Sequence, residues 1–148
     1  MAAILIDTNV LVYAHDRAEP AKQARAIEVL EVLHLTGSGR LSAQCLAEFF
    51  RTTTRPSRPI LTVAEAAQQV ERLARVWPVY DITPFAVIEA MRGVRDHQLF
   101  YWDAQIWATA HLNQVPVVFS EDFTAGAVLE GVRFVNPFAG DFTLSVWS

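Results

Sequence analysis

Four apolar segments of this chain end on, or are interrupted by, an acid. Asp7 closes Ile4-Leu5-Ile6-Asp7, and Glu48 sits in Leu46-Ala47-Glu48-Phe49-Phe50. Asp103 lies in Tyr101-Trp102-Asp103-Ala104, and Asp122 follows Val117-Val118-Phe119-Ser120-Glu121. A carboxylate in an apolar run is costly unless something positive compensates it. No neighbouring Lys or Arg does so for all four. Acids gathered by a fold repel one another, and a divalent cation is the usual remedy. The pattern therefore limits the chain to scaffolds that can enclose an acidic, metal-holding pocket.

The segments between the acids alternate in type. Residues 3–6 read as a buried parallel strand ending at Asp7. Thr8 and Asn9 offer side-chain oxygens to cap a helix over residues 10–15. Pro20 opens a second helix with Ala24, Ile27, Leu30 and Leu33 on one face, and Gly37-Ser38-Gly39 ends it. A brief strand over residues 40–42 leads into a helix carrying Leu46, Glu48, Phe49 and Phe50. Residues 52–60, with Pro56 and Pro59, read as a loop. Thr62 and Glu65 form a capping-box pattern for a helix with Ala66, Val70 and Leu73 along one side. Residues 77–80 are a strand, placed at a sheet edge or at a strand start by Pro78. Thr83-Pro84 opens a helix through Ile88 and Met91. A helix over residues 101–112 and strands over 115–120 and 132–135 complete the series.

Strands alternating with helices predict an α/β fold with helices on both faces of a central, mainly parallel sheet of about four to five strands. Ligands bind such sheets beyond the carboxyl ends of the strands. Asp7 and Asp122 both lie there. With 148 residues, 52% hydrophobic and 19% charged, the chain suits one domain, 1–148, with a substantial core. No apolar run reaches membrane-spanning length, the start lacks the basic region of a signal peptide, and Cys45 has no partner for a disulfide. These features favour a cytoplasmic location and no membrane partner.

A net charge of −4 argues against a simple basic nucleic-acid-binding module. It argues less against a nuclease, whose acids hold metal while local basic residues hold phosphate. Arg51, Arg55 and Arg58 form one candidate patch, and Arg92 with Arg95 a second; solvated surface arginine is an equally good reading of each.

Every acid also has an ordinary explanation. Asp7 suits a helix cap, although Thr8 and Asn9 would free it from that task. Glu48 suits an exposed helix face. Asp103 shares a stripe with Trp107 and Ala110 near a helix N-terminus, whose dipole favours an anion. Asp122 suits a turn. The four together suit Mg²⁺ or Mn²⁺ rather than Zn²⁺, because no Cys or His cluster accompanies them. His15, His34, His97 and His111 show no ligand spacing, and Cys45 reads as a small buried residue.

In this order and over most of the chain, the segments Ile6-Asp7-Thr8-Asn9-Val10-Leu11, Leu41-Ser42-Ala43-Gln44 leading to Glu48, Trp102-Asp103-Ala104, and Phe119-Ser120-Glu121-Asp122 resemble those of PIN-domain ribonucleases, specifically the VapC toxins of toxin–antitoxin pairs. The resemblance implies a three-layer PIN fold, Mg²⁺-dependent cleavage of RNA (Mn²⁺ as a substitute), a homodimer or higher assembly, and a cognate antitoxin. Carried over by motif, Asp7, Glu48, Asp103 and Asp122 match the family's four acids, with Asp7 and Asp103 as direct metal ligands. Ser120 matches its small hydroxyl residue, and Thr8 and Asn9 support the site. Either Glu121 or Asp122 fills the last position; neighbours on a strand point oppositely, and Asp122 is the choice. The C-terminal tail, 139–148, has no assigned role, and Phe142, Leu144 and Trp147 within it are unexplained.

The chemistry implied is hydrolysis of an RNA phosphodiester, leaving a 5′-phosphate and a 3′-hydroxyl. One rival is a phosphatase using Asp7 as nucleophile, but such enzymes want a second acid two residues on, where Asn9 stands. A second is a catalytically silent module whose acids bind a partner's arginines. A third keeps the nuclease but places it in RNA processing or DNA repair. The helix after Thr62 and the loop before it are candidate dimer or antitoxin surfaces, unless core packing accounts for their apolar residues.

Overall fold

The run Ile4-Leu5-Ile6 has no polar face, so it belongs where both sides of a strand are covered. The computed structural model, which describes residues 2–148, puts it there. In chain order the elements are β1 (Ile4–Ile6), α1 (Thr8–Tyr13), α2 (Pro20–Thr36), β2 (Gly39–Ser42), α3 (Ala43–Thr53), α4 (Val63–Val76) and β3 (Val79–Tyr80). They continue with α5 (Pro84–His97), α6 (Tyr101–Leu112), β4 (Val117–Phe119), β5 (Val128–Leu129), β6 (Val132–Val135) and a 3-10 turn (Leu144–Trp147). The sheet has six strands in the order β3-β2-β1-β4-β6-β5. All pairs are parallel except β5 with β6.

Strand alternation divides the core into two layers. Ile4, Ile6, Val117 and Phe119 face one side, where α1, α2 and α3 bury Leu11, Val29, Leu33 and Phe49. Leu5 and Val118 face the other, against α6. That helix is buried all round from Ala104 to Ala110, because the sheet lies on one side of it and α5 on the other. Gly93 of α5 permits the close approach: a Cβ there would lie 2.9 Å from the Trp107 ring.

Several expectations need correction. The sheet has six strands rather than four to five, because Val128–Leu129 forms a hairpin with β6. Its two-residue turn, Glu130-Gly131, takes φ of 50° and 85°, the positive values that short hairpin turns require. On α2 the buried stripe is Ala26, Val29 and Leu33; Ile27 faces solvent. On α5 the buried residues are Ala86, Ala90 and Gly93, and Ile88 is 62% exposed. Helix α3 runs on to Thr53, shortening the loop. The tail packs against the core: Phe142 and Trp147, partly buried, meet the Phe119 ring edge-on at 5.6 and 5.0 Å. Val70 and Leu73 of α4 pack on the first layer, so core packing accounts for its apolar stripe. Among the described residues no helix is long and apolar enough to cross a membrane.

Candidate active site

The parallel register of β1 and β4 sets Ile6 opposite Phe119. The next residue of each strand then leaves the sheet at the same edge. Asp7 N–H donates to the Phe119 carbonyl at 2.9 Å, and the Ser120 hydroxyl donates to Asp7 Oδ2 at 2.6 Å. Contrary to the sequence reading, Asp7 itself caps α1, its Oδ1 accepting from Thr8 N–H at 2.7 Å. One oxygen is thus used as a cap and the other by Ser120, yet a carboxylate oxygen can accept more than one bond. Capping and ligation are not exclusive here.

Asp7 is only 2% exposed. Burial raises its pKa to about 7, against the lowering effect of the Ser120 hydroxyl and Thr8 N–H, and the charges of Asp122 and Glu48 raise it further. Asp103, in the first turn of α6, is also raised, by burial and then by Asp122 and Glu48. The buried Asp7 and the half-buried Asp103 therefore feel the same two neighbours. The structure brings the four acids to one edge of the sheet, two at strand ends and two from helices.

Neutral groups hold three of the four. Asn9 Nδ2 lies 3.1 Å from Asp122 Oδ2, 3.3 Å from Ser120 Oγ and 3.4 Å from Asp7 Oδ2, and so bridges the two strand ends. Gln44 Nε2 donates to Glu48 Oε1 at 2.6 Å. Asp103 accepts no hydrogen bond among the described residues. No Lys, Arg or His forms an ion pair with any of the four there either. No three His, Cys, Asp or Glu side chains make a ready-formed ion cage among the described residues. The donors nevertheless fit a hard divalent cation: oxygen only, mutually repelling and without a protein cation. Thr8 Oγ1 is the one buried side-chain polar atom left without a partner among the described residues. It lines a cleft of about 290 Å³ with Asn9, Glu48 and Asp122.

Glu121 is turned elsewhere. Tyr13 hydroxyl donates to its Oε1 at 2.5 Å and Lys22 Nζ to its Oε2 at 3.0 Å. Asp122 is the neighbour whose side chain reaches Asn9. The arginines also sort themselves. Arg58 is bound to Asp16 at 3.0 Å, and Arg92 to Glu89 and Glu130 at 2.6 and 2.8 Å, while Arg95 pairs with Asp96. The second arginine group is thus committed to protein carboxylates and is no phosphate patch. Arg51 and Arg55 make no ion pair among the described residues.

Sequence reasoning missed a chain of amides behind Glu48. Tyr101 hydroxyl donates to Gln105 Oε1 at 2.9 Å, Gln105 Nε2 to Gln44 Oε1 at 2.9 Å, and Gln44 Nε2 to Glu48 and to the Trp102 carbonyl. The chain ties α3, which carries Glu48, to α6, which carries Asp103. Two i,i+4 spacings, Gln44 to Glu48 and Tyr101 to Gln105, were its only trace in the sequence. Cys45 lies behind Asp7, fully buried, its thiol pushed up to about 12 by burial and then by the Asp7 charge. The histidines serve packing: His111 stacks on Trp107 at 5.2 Å, and His97 meets the same ring edge-on.

Residues 4–126 match the family model of the PIN domain. The chain belongs to the PIN-domain family. Among solved structures, a toxin–antitoxin complex from Klebsiella pneumoniae superposes with a TM-score of 0.66 at 18% identity, over 91% of this chain and 98% of that one. Mycobacterium tuberculosis VapC20, a sarcin-ricin loop cleaving toxin, gives 0.64 at 21% identity, over 88% and 99%. VapBC2 of Rickettsia felis, bound to promoter DNA, gives 0.63 at 12% identity, over 89% and 96%. At such identities the likeness is one of fold. No match is found among curated protein sequences. In this PIN domain the acid-bearing edge lies within the matched segment, and the tail that seals Phe119 lies beyond it.

Proposed function

We propose that this PIN domain, residues 1–148, is a Mg²⁺-dependent endoribonuclease and the toxin of a toxin–antitoxin pair. The observation that carries the proposal is the burial of Asp7 among acids with no protein cation beside it. Such an arrangement is costly without a metal and useful with one. The VapC and VapBC character of the structural relatives supports the RNA substrate and the antitoxin partner.

In this reading Asp7 and Asp103 hold the cation, with Glu48 and Asp122 acting through water or at a second ion. Bound Mg²⁺ (or Mn²⁺) supplies Lewis-acid polarisation of a phosphodiester and eases ionisation of water. The chain's own groups do the rest. Ser120 and Thr8 N–H fix both Asp7 oxygens, so the carboxylate needs no reorientation on loading. Gln44 pins Glu48 Oε1 and leaves Oε2 to accept a hydrogen bond from the attacking water. Asn9 keeps Asp122 at the same edge. In-line attack then leaves a 5′-phosphate and a 3′-hydroxyl. The same reading includes a homodimer, and the exposed Phe85, Ile88 and Met91 on the outer face of α5 support docking of a second copy there.

Purified protein should cut structured RNAs only with Mg²⁺ or Mn²⁺, and mapping the ends should give 5′-phosphates. Asp7→Asn should fold yet lose cleavage by at least about 100-fold, the several kcal/mol that a held cation supplies. Full Mg²⁺-dependent cleavage by Asp7→Asn would remove Asp7 from the mechanism.

A further inference from the structure

Beside the acids, α3 and α6 enclose a groove of about 500 Å³. Its floor is low because Ala43 and Ala47 contribute only methyl groups, and the Gln44 and Gln105 amides lie within it. One wall is the indole of Trp102, 64% exposed. Tyr101 meets that ring edge-on at 5.0 Å, and Gln44 Nε2 ties down the backbone beneath it through the Trp102 carbonyl at 2.9 Å. A large aromatic face turned to solvent beside a cluster of acids contributes little to core packing.

At the groove stands Arg51, which makes no ion pair among the described residues although Glu48 is only three positions away on the same helix. Glu48 lines both this groove and the cleft holding Thr8, Asn9 and Asp122. The groove therefore opens directly onto the acids. A flat aromatic wall, an apolar floor with amide edges and one guanidinium together match a nucleotide: base, base edge and phosphate.

Resting on the nuclease reading, we propose that this groove takes one unpaired nucleobase of the RNA, stacked on Trp102, with the adjoining phosphate held by Arg51. Gln105 Nε2 spends one hydrogen on Gln44 and retains a second for the base edge. A base inside a duplex cannot enter, since its faces are stacked and its Watson–Crick edge is paired. The RNA at this position is therefore a loop, bulge or single strand. An apolar side chain of a protein partner is the competing occupant, but it would leave Arg51 and the amide edge unused.

The test is binding without catalysis. Wild-type protein in EDTA is titrated against a fluorescein-labelled single-stranded octaribonucleotide and against the same strand in a duplex, read by anisotropy. Single strand should bind at least about tenfold tighter than duplex. Trp102→Ala should lose about tenfold in affinity, Trp102→Phe should keep most of it, and Arg51→Ala should flatten the salt dependence by about one phosphate contact. Trp102 is exposed, so these variants should unfold thermally as wild type does. Equal binding by wild type and Trp102→Ala, equal binding of single strand and duplex, or no binding by wild type each overturns the proposal. RNA cleavage with Mg²⁺ is assayed in parallel: cleavage that survives Trp102→Ala unchanged sinks the groove and leaves the nuclease standing. Absent cleavage with Trp102-dependent binding does the reverse.

Discussion

A single buried carboxyl, Asp7, sets the energetics of the site, and its pH behaviour follows from where it sits. Its folded pKa is about 7, above the ordinary 3.8, with burial as the main cause. The folded state thus keeps a proton that the unfolded chain releases, and in metal-free protein stability falls as pH rises between these two values. A difference of that size between the folded and unfolded chain corresponds to about 4 kcal/mol. Asp7→Asn, which keeps the cap acceptor but never ionises, should therefore raise the midpoint of urea unfolding at pH 8 in EDTA and match wild type near pH 4. An equal effect at both pH values would mean that Asp7 is not charged at a cost. At this scale the sequence was informative where an acid directly ended a strand, because backbone position alone decides which edge it occupies. It was silent on Gln44 and Gln105, which are 61 residues apart and leave no local pattern when they pair. It also misread the cap: Thr8 and Asn9 were credited with what Asp7 does, since any of three consecutive polar residues can cap.

The helices matter in pairs, because each brings one acid and the amide chain fixes the distance between them. Gln44→Ala should leave the Gln105 amide and the Trp102 carbonyl without their partner and free Glu48 to rotate. Stability should drop by about 1–3 kcal/mol, and Mg²⁺-dependent cleavage by about tenfold or more. A variant with lower stability but unchanged cleavage would reduce the chain to a structural tie. Helix boundaries were legible wherever a cap carried them, as Thr62 with Glu65 and Thr83 with Pro84 did. Helix faces were less so. On α5 the apolar residues fall on both sides, and the inner side is made of Ala86, Ala90 and Gly93, small residues chosen for close approach to Trp107. The bulky Ile88 and Met91 drew the reading to the outer side.

At the level of the whole molecule, the order of the central strands makes the site. Placing β1 beside β4 in parallel register sends Asp7 and Ser120 off the same edge, and helices α3 and α6 supply Glu48 and Asp103 at that edge. The alternation of strands and helices announced this layout. The β5–β6 hairpin escaped notice because a two-residue strand has no periodicity to read. The tail escaped because Phe142 and Trp147 gain meaning only once Phe119 is at hand. Net charge misleads at this scale as well: Arg58, Arg92 and Arg95 are spent on nearby carboxylates, and the acidity that matters is local. A crystal of the wild-type protein soaked in Mn²⁺ and measured for anomalous scattering puts the layout to its most direct test. Density bridging the Asp7 and Asp103 carboxylates is the predicted result. Ion bound elsewhere on the surface, with that edge empty at saturating Mn²⁺, would contradict it.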